Sequence, residues 1–175
     1  MKCEKCSDKG NVKSTYTDRR YCDKHFMEMI SKRIRKNMRT SKEIDVKREY
    51  SLVRTTPHET MIAKHFLKEI FNGRLKTKET SNPTKSTPLI VPRSLDKEAK
   101  EFLEEFLENK KGRQTQINPL RVVLEEEIKE ISKILGIKYS ENKETNKILE
   151  TMEAEYPGTK FSLMKSMEEI RKKQK

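Results

Sequence analysis

The sequence predicts a mainly α-helical protein with a small cysteine-based ribbon in front and only a few short strands. Three observations carry that expectation. Apolar residues recur at helical spacing in six stretches after residue 25. Cysteine is confined to the first 22 positions. Runs that alternate as strands do are short and few.

Only 32% of the 175 residues are hydrophobic and 39% are charged, against about 45–50% apolar in an ordinary globular domain. A self-sufficient core is therefore thin, which points to small modules or to a partner that completes the core. No apolar run is long enough for a membrane span, and three cysteines make no paired disulfide framework. These features lead us to expect a cytoplasmic protein with no membrane contact. The net charge is +12, with 15 basic and 8 acidic residues in positions 1–50 and 8 and 3 in positions 51–93. From Ser94 onward there are 17 of each. A basic excess confined to the first half of a chain attracts polyanions, nucleic acid above all.

Taken in order, Cys3-x-x-Cys6 forms a knuckle, followed by an extended stretch through Val12, Ser14 and Tyr16 and a turn near Asp18. Tyr21 then leads into Cys22-x-x-His25. From Phe26 the period becomes helical: Phe26, Met29, Ile30, Ile34 and Met38 share a face, and Lys32, Arg33, Arg35, Lys36, Arg39 and Lys42 crowd the rest. Tyr50–Val53 reads as a short strand. Thr56-Pro57-His58-Glu59 is a capping box with proline at the first helical position. It opens a helix carrying Ile62, Phe66, Ile70 and Phe71, stopped at Gly73.

Residues 76–93 hold three prolines among Ser, Thr and Lys, and read as a loop or linker containing one short buried strand at Leu89–Val91. Ser94 caps a helix with Phe102 and Phe106 on its apolar face, ending before Gly112. Further helices are expected over about 122–135, 142–155 and 159–171, with a Tyr156-Pro157-Gly158 turn between the last two. The organisation is then a ribbon over 1–25, a basic helix and linker over 26–48, and a mostly helical domain over 49–175.

Cys3, Cys6, Cys22 and His25 follow C-x2-C-x15-C-x2-H. Two-residue spacing turns both members of each pair onto one ion, and the long gap accommodates a hairpin. Four protein ligands close the site, so the expectation is structural Zn2+; a catalytic ion would need an open position. An iron–sulfur cluster usually takes four thiolates, and a redox C-x-x-C has no use for the second pair. The basic helix that follows suits a phosphate backbone; as an alternative its charges are a solvated face. Tyr16, Arg19 and Arg20 would extend the same surface. With five glycines spread along the chain, no phosphate-cradling loop can be built. His58 is expected to be exposed and His65 to pack or face solvent, and Glu125–Glu127 complement a helix dipole. No active site emerges.

Three segments together resemble a known family: Met1–Arg35; Ile117-Asn118-Pro119-Leu120-Arg121 with Glu125–Ile128 and Gly136–Tyr139; and Glu153-Ala154-Glu155-Tyr156-Pro157-Gly158-Thr159-Lys160-Phe161-Ser162-Leu163. The family is that of the tRNA 2-thiouridine synthetases, TtuA-like proteins and the cytoplasmic tRNA 2-thiolation proteins. The helix ending Phe71-Asn72-Gly73-Arg74 is a weaker match. The resemblance implies a zinc finger ahead of an α/β PP-loop ATP pyrophosphatase domain. Active members carry a Ser-Gly-Gly-x-Asp-Ser loop, cysteines in that domain and a second zinc finger. This chain has no such loop, Ser140 where a cysteine is expected, and no second finger.

The resemblance therefore implies a truncated, non-catalytic paralogue, a helical remnant of the PP-loop domain that has lost its sheet. It would pair with a catalytic thiolase as a hetero-oligomer and help bind tRNA through Lys32, Arg33, Arg35, Lys36, Arg39 and Lys42. Phe66, Ile70, Phe71, Phe102 and Phe106 are the candidate partner surface, with internal core as the alternative for each. A different reading is a free-standing zinc-ribbon nucleic-acid-binding or regulatory protein.

Overall fold

Gly10 decides how tightly the front of the chain can fold. A Cβ there would lie 2.7 Å from the Arg20 Cβ and 3.0 Å from the Lys2 carbonyl oxygen, closer than real side chains approach. That contact lets the knuckle sit on the hairpin of β1 (Val12–Lys13) and β2 (Arg20–Tyr21), an antiparallel pair with Val12 opposite Tyr21. The computed structural model describes residues 1–82, 87–108, 116–141 and 146–173.

Helix α1 (Asp23–Ser41) leaves the hairpin directly and buries Phe26, Ile30, Ile34 and Met38 on one stripe. Strand β3 (Glu49–Val53) follows, then α2 (Pro57–Ile70), whose first turn is closed by the Thr56 hydroxyl accepting from the Glu59 amide. Half of the capping box predicted there is present: Thr56 caps the Glu59 amide, while the Glu59 carboxylate accepts from the Thr56 hydroxyl and the Ser94 amide instead of the Thr56 amide. His58 is a correction: expected in solvent, it is buried. Its Nε2 lies 3.2 Å from the Thr56 hydroxyl, its Nδ1 3.3 Å from the Ser140 hydroxyl, and its ring 4.9 Å from that of Tyr139. A helix's first turn is exposed only when nothing packs over it, and here the segment around Tyr139 does.

The expected loop over 76–93 is corrected in part. Strand β4 (Lys76–Thr80) runs parallel to β3, and β5 (Leu89–Ile90) pairs in parallel on its other side. β4 escapes a hydrophobicity-based reading because it is a sheet edge made of Lys-Thr-Lys-Glu-Thr, the polar composition that keeps edges from further pairing. Pro83 and its neighbours at 84–86 lie outside the described residues. The sheet order is β4-β3-β5, and Ile117 adds a parallel bridge to Ile90. The sheet expected to be lost is therefore present in reduced form, and the architecture is mainly helical around a small parallel sheet.

Helix α3 (Leu95–Leu107) is capped by Ser94 as predicted; Gly112, its expected limit, lies outside the described residues. Helix α4 (Glu125–Ile134) starts three residues later than expected. Residues 120–124 are instead a buried irregular segment, tied by the Leu120 amide to the Asn118 side chain and by the Leu124 amide to Glu127. Leu124 has no side-chain acceptor, so only Glu127 caps this end. Helix α5 (Lys147–Glu155) begins after Asn146, which accepts from the amides of Ile148 and Leu149; the predicted start at Asn142 lies outside the described residues. Helix α6 (Thr159–Lys173) follows the Tyr156–Gly158 turn and packs along α3. One apolar cluster runs from Cys3 through Phe26, Leu52 and Phe66 to Met167, crossing both boundaries drawn from the sequence. No helix among the described residues is long and apolar enough to cross a membrane.

Candidate metal centre and basic face

The knuckle and the start of α1 bring four ligand atoms together. Cys3 and Cys6 flank a turn in which the Lys5 amide donates to the Cys3 sulfur at 3.4 Å and the Cys3 amide to the Asp8 carbonyl at 2.8 Å. Cys22 is the last residue before α1 and His25 sits in its first turn. The ligand atoms of Cys3, Cys6, Cys22 and His25 all lie within 4.8 Å of one another. Cys6 and Cys22 sulfurs are 3.7 Å apart, and His25 Nδ1 is 3.5 Å from the Cys3 sulfur and 3.3 Å from that of Cys22.

A tetrahedral ion with the usual zinc bond lengths places ligands at about 3.8 Å for sulfur pairs and about 3.6 Å for sulfur and nitrogen. The spacing thus fits one ion at the centre. Burial works against the Cys3 thiolate, yet the amides of Cys22, Lys5 and Cys6 outweigh it and bring the thiol down to about 6. At Cys6 the Asp8 amide favours the thiolate, but burial, the Asp8 carboxylate and the other two sulfurs prevail and push it up to about 12. A crowd of thiols that cannot all ionise together is what a divalent cation relieves. These four residues can hold a metal ion.

Behind this centre, Lys32, Arg35, Lys36 and Arg39 are exposed on α1 and, with Thr40, line one shallow concavity of about 410 Å³. Lys42 is also exposed but lies past the helix end, at φ 52°. Arg33 departs from the group. Its guanidinium donates two parallel bonds to Glu127, at 2.7 and 2.8 Å, and a third at 3.0 Å to the Val122 carbonyl. It also lies 5.8 Å from the centre of the Phe161 ring. Such a fork-to-fork pair leaves little of Arg33 for a phosphate. Tyr16 likewise turns away from the basic face: its hydroxyl donates to Glu153 at 2.8 Å and its ring meets Phe161 edge-on. Arg19 pairs with Glu4 and Arg20 is half-buried over Gly10.

The candidate partner surface separates into three environments. Phe66 is fully buried between helices and is core, which corrects its assignment to a surface; on a helix facing two others, an aromatic in the middle of the apolar stripe has nowhere to go but inward. Ile70, Phe71 and Phe102 are half-buried against that core. Phe106 alone stands out, 66% exposed, with Leu107 beside it at 63%. His65 packs edge-on against Phe66 with one side in solvent, as expected.

Sequence reasoning missed Glu153. Burial would raise its carboxyl, but the amides of Gly158 and Lys160 and the Tyr16 hydroxyl hold it below the usual carboxylate range. It joins the ribbon tip to the α5–α6 turn. The motif Glu153-Ala154-Glu155-Tyr156-Pro157-Gly158 was the available signal, since a glutamate ahead of a tight Pro-Gly turn faces free amides.

No family model matches the chain, and no curated protein matches it. Among solved structures it is similar to the U34-tRNA thiolase NcsA from Methanococcus maripaludis with its 4Fe-4S cluster, with a TM-score of 0.73 and 16% identity. The similarity covers 97% of this chain and 87% of that one. At this identity the likeness establishes the fold: the chain has a thiolase-like fold with a Cys/His cluster at its front.

Proposed function

We propose that this chain is a non-catalytic subunit of a tRNA wobble-uridine 2-thiolation assembly, working in the cytoplasm with a PP-loop thiolase and holding tRNA rather than activating it. The observation that carries the reading is the concavity on α1, where Lys32, Arg35, Lys36 and Arg39 face solvent together on the helix that begins after Cys22. Each such cation that meets a phosphate releases roughly one condensed counterion, so a cluster binds nucleic acid strongly at low salt. The thiolase-like fold supports tRNA as that nucleic acid.

Zinc is the ion proposed for Cys3, Cys6, Cys22 and His25. A four-iron cluster places each ligand on a different iron and so holds the ligands further apart than a single ion does, and it usually takes four thiolates. Bound there, zinc would supply a structural crosslink between the knuckle and α1. The proposed lack of catalysis is supported by the turn after β3, Arg54-Thr55-Thr56-Pro57-His58-Glu59, which contains no glycine and in which Pro57 offers no amide, so it does not form a glycine-rich phosphate loop.

Reversing charge in Lys36→Glu/Arg39→Glu should weaken tRNA binding and make the log–log salt dependence shallower by about 1.4 to 1.8, two phosphate contacts having been lost. Zinc content should not change. Affinity and slope equal to those of the unmodified chain would reject the interface. Gentle affinity purification should recover a thiolase with a Ser-Gly-Gly-x-Asp-Ser loop at near-equal stoichiometry. Recovery of RNA alone would favour the free-standing zinc-ribbon binder, a reading that the closed core around Phe66 and Leu52 also supports.

A further inference from the structure

Parallel sheets are as a rule covered on both faces by apolar layers. This one is so covered on a single face, where Tyr50, Leu52 and Ile90 are at most 2% exposed. The in-register pairs Glu49–Lys76, Ser51–Lys78, Val53–Thr80 and Ser51–Leu89 make the other face. There Glu49, Lys76 and Lys78 are exposed, and Ser51, Val53, Thr80 and Leu89 are half-buried. Glu79 reaches Lys64 on α2, so Lys76 and Lys78, out of phase with it along the strand, turn away from that helix. Alternation of this kind belongs to a face that meets polar surroundings, and an apolar protein layer does not fit it.

The charge around β4 is positive and largely uncompensated. Positions 51–93 carry 8 basic and 3 acidic residues, and each of those acids is engaged elsewhere. Glu59 is buried and takes the Lys97 ammonium at 3.0 Å. Glu69 takes the Ser31 hydroxyl at 2.6 Å, and Glu79 takes both Lys64 and, at 3.2 Å, Arg54. Arg74, Lys76 and Lys78 are left exposed along one short run of chain, and among the described residues no carboxylate forms an ion pair with any of them. Glu49, opposite Lys76 in register, is the acid that this face itself carries. Lys76 and Lys78 share a side of the strand at a separation of about 6.6 Å, close to the repeat of phosphates along a nucleic-acid strand. Ser51, the neighbour of Lys78, adds a hydroxyl of the kind that phosphates and sugars accept as a contact.

We propose that this face of β4 is a second phosphate-binding surface, on which Arg74, Lys76 and Lys78 hold the sugar–phosphate backbone of an RNA strand separately from α1. The proposal rests on the tRNA reading above and extends it. Helix α1 packs on α2 and on the ribbon, and β4 packs on β3, so one RNA meets the chain on two different elements. Contacts of this kind position the RNA without reading its bases.

Binding of a tRNA transcript to the full chain, titrated at several salt concentrations, tests this. Lys76→Gln/Lys78→Gln should weaken binding and make the log–log salt dependence shallower by about 1.4 to 1.8. Combined with Lys36→Glu/Arg39→Glu, the change should reach about 2.8 to 3.6, four phosphate contacts having been lost. The charge-keeping Lys76→Arg/Lys78→Arg should retain the slope of the unmodified chain. Glu49→Gln should tighten binding about threefold at low salt, because a repulsion is removed. If the α1 variant loses slope and Lys76→Gln/Lys78→Gln does not, this surface is overturned and the tRNA reading stands. If only Lys76→Gln/Lys78→Gln loses slope, the surface stands and the α1 interface falls. A chain that binds no tRNA overturns both, and a slope loss shared by Lys76→Arg/Lys78→Arg overturns the surface. Loss of a co-purifying thiolase, with RNA binding intact, would make the face a protein interface and overturn the proposal too.

Discussion

Arg33 donates two parallel bonds to Glu127 while Arg35, two positions on, stands in solvent. The difference lies in what faces each: α4 presents a carboxylate to one and nothing covers the other. The phenylalanines divide for the same reason. Phe66→Ala should lower stability by about 3–5 kcal/mol, the cost of a large buried cavity. Phe106→Ala should stay within about 0.5 kcal/mol, as exposed substitutions do. Urea unfolding of the two variants checks both. Equal effects would mean that Phe106 is buried in solution against a second surface.

At the scale of the element, the start of α2 concentrates the buried polar chemistry of the fold. Burial holds the His58 imidazole below its ordinary value of 6.5; Glu59 pulls it back up, Lys97 lowers it further and Glu125 opposes. Between its folded value and 6.5 the unfolded chain binds the extra proton, so stability is complete above about 6.5 and declines as pH falls. Chemical denaturation from pH 7.5 to 5.5 should therefore show a smaller loss for His58→Asn than for the unmodified chain. Identical slopes would mean that the ring titrates as it does in water. Helix α1 shows the opposite economy. Its buried stripe is apolar apart from Ser31, whose hydroxyl donates to Glu69 at 2.6 Å, and its charge, Arg33 apart, is left outward.

Across the whole molecule, the cysteine ribbon and the C-terminal helices are linked, since Glu153 takes the Tyr16 hydroxyl and the amides of Gly158 and Lys160 together. Lys160, itself buried, ties α6 to Asp96 at 2.5 Å and to Glu150 at 3.0 Å. Stripping the metal with a chelator, or substituting Cys22→Ser, should lower the Tm of the whole chain by about 10 °C or more. It should also speed amide exchange at Gly158 and Lys160. Loss of protection confined to residues 1–25 would show that the ribbon unfolds by itself.

Much of this was legible in the chain. Cys3, Cys6, Cys22 and His25 announce a ligand set because a metal's geometry constrains sequence spacing directly. Thr56 and Ser94 mark helix starts, and Phe26, Ile30 and Ile34 mark a buried face, because caps and helical periodicity are local properties. Tertiary structure alone decided what each side chain meets: that polar β4 completes a sheet beside β3, that His58 is roofed by Tyr139 and Ser140, that Arg33 finds Glu127 and that Glu59 finds Ser94 and Lys97. Those partners are supplied by segments distant in sequence, and a local pattern specifies what a residue can offer but not which surface the fold will lay against it.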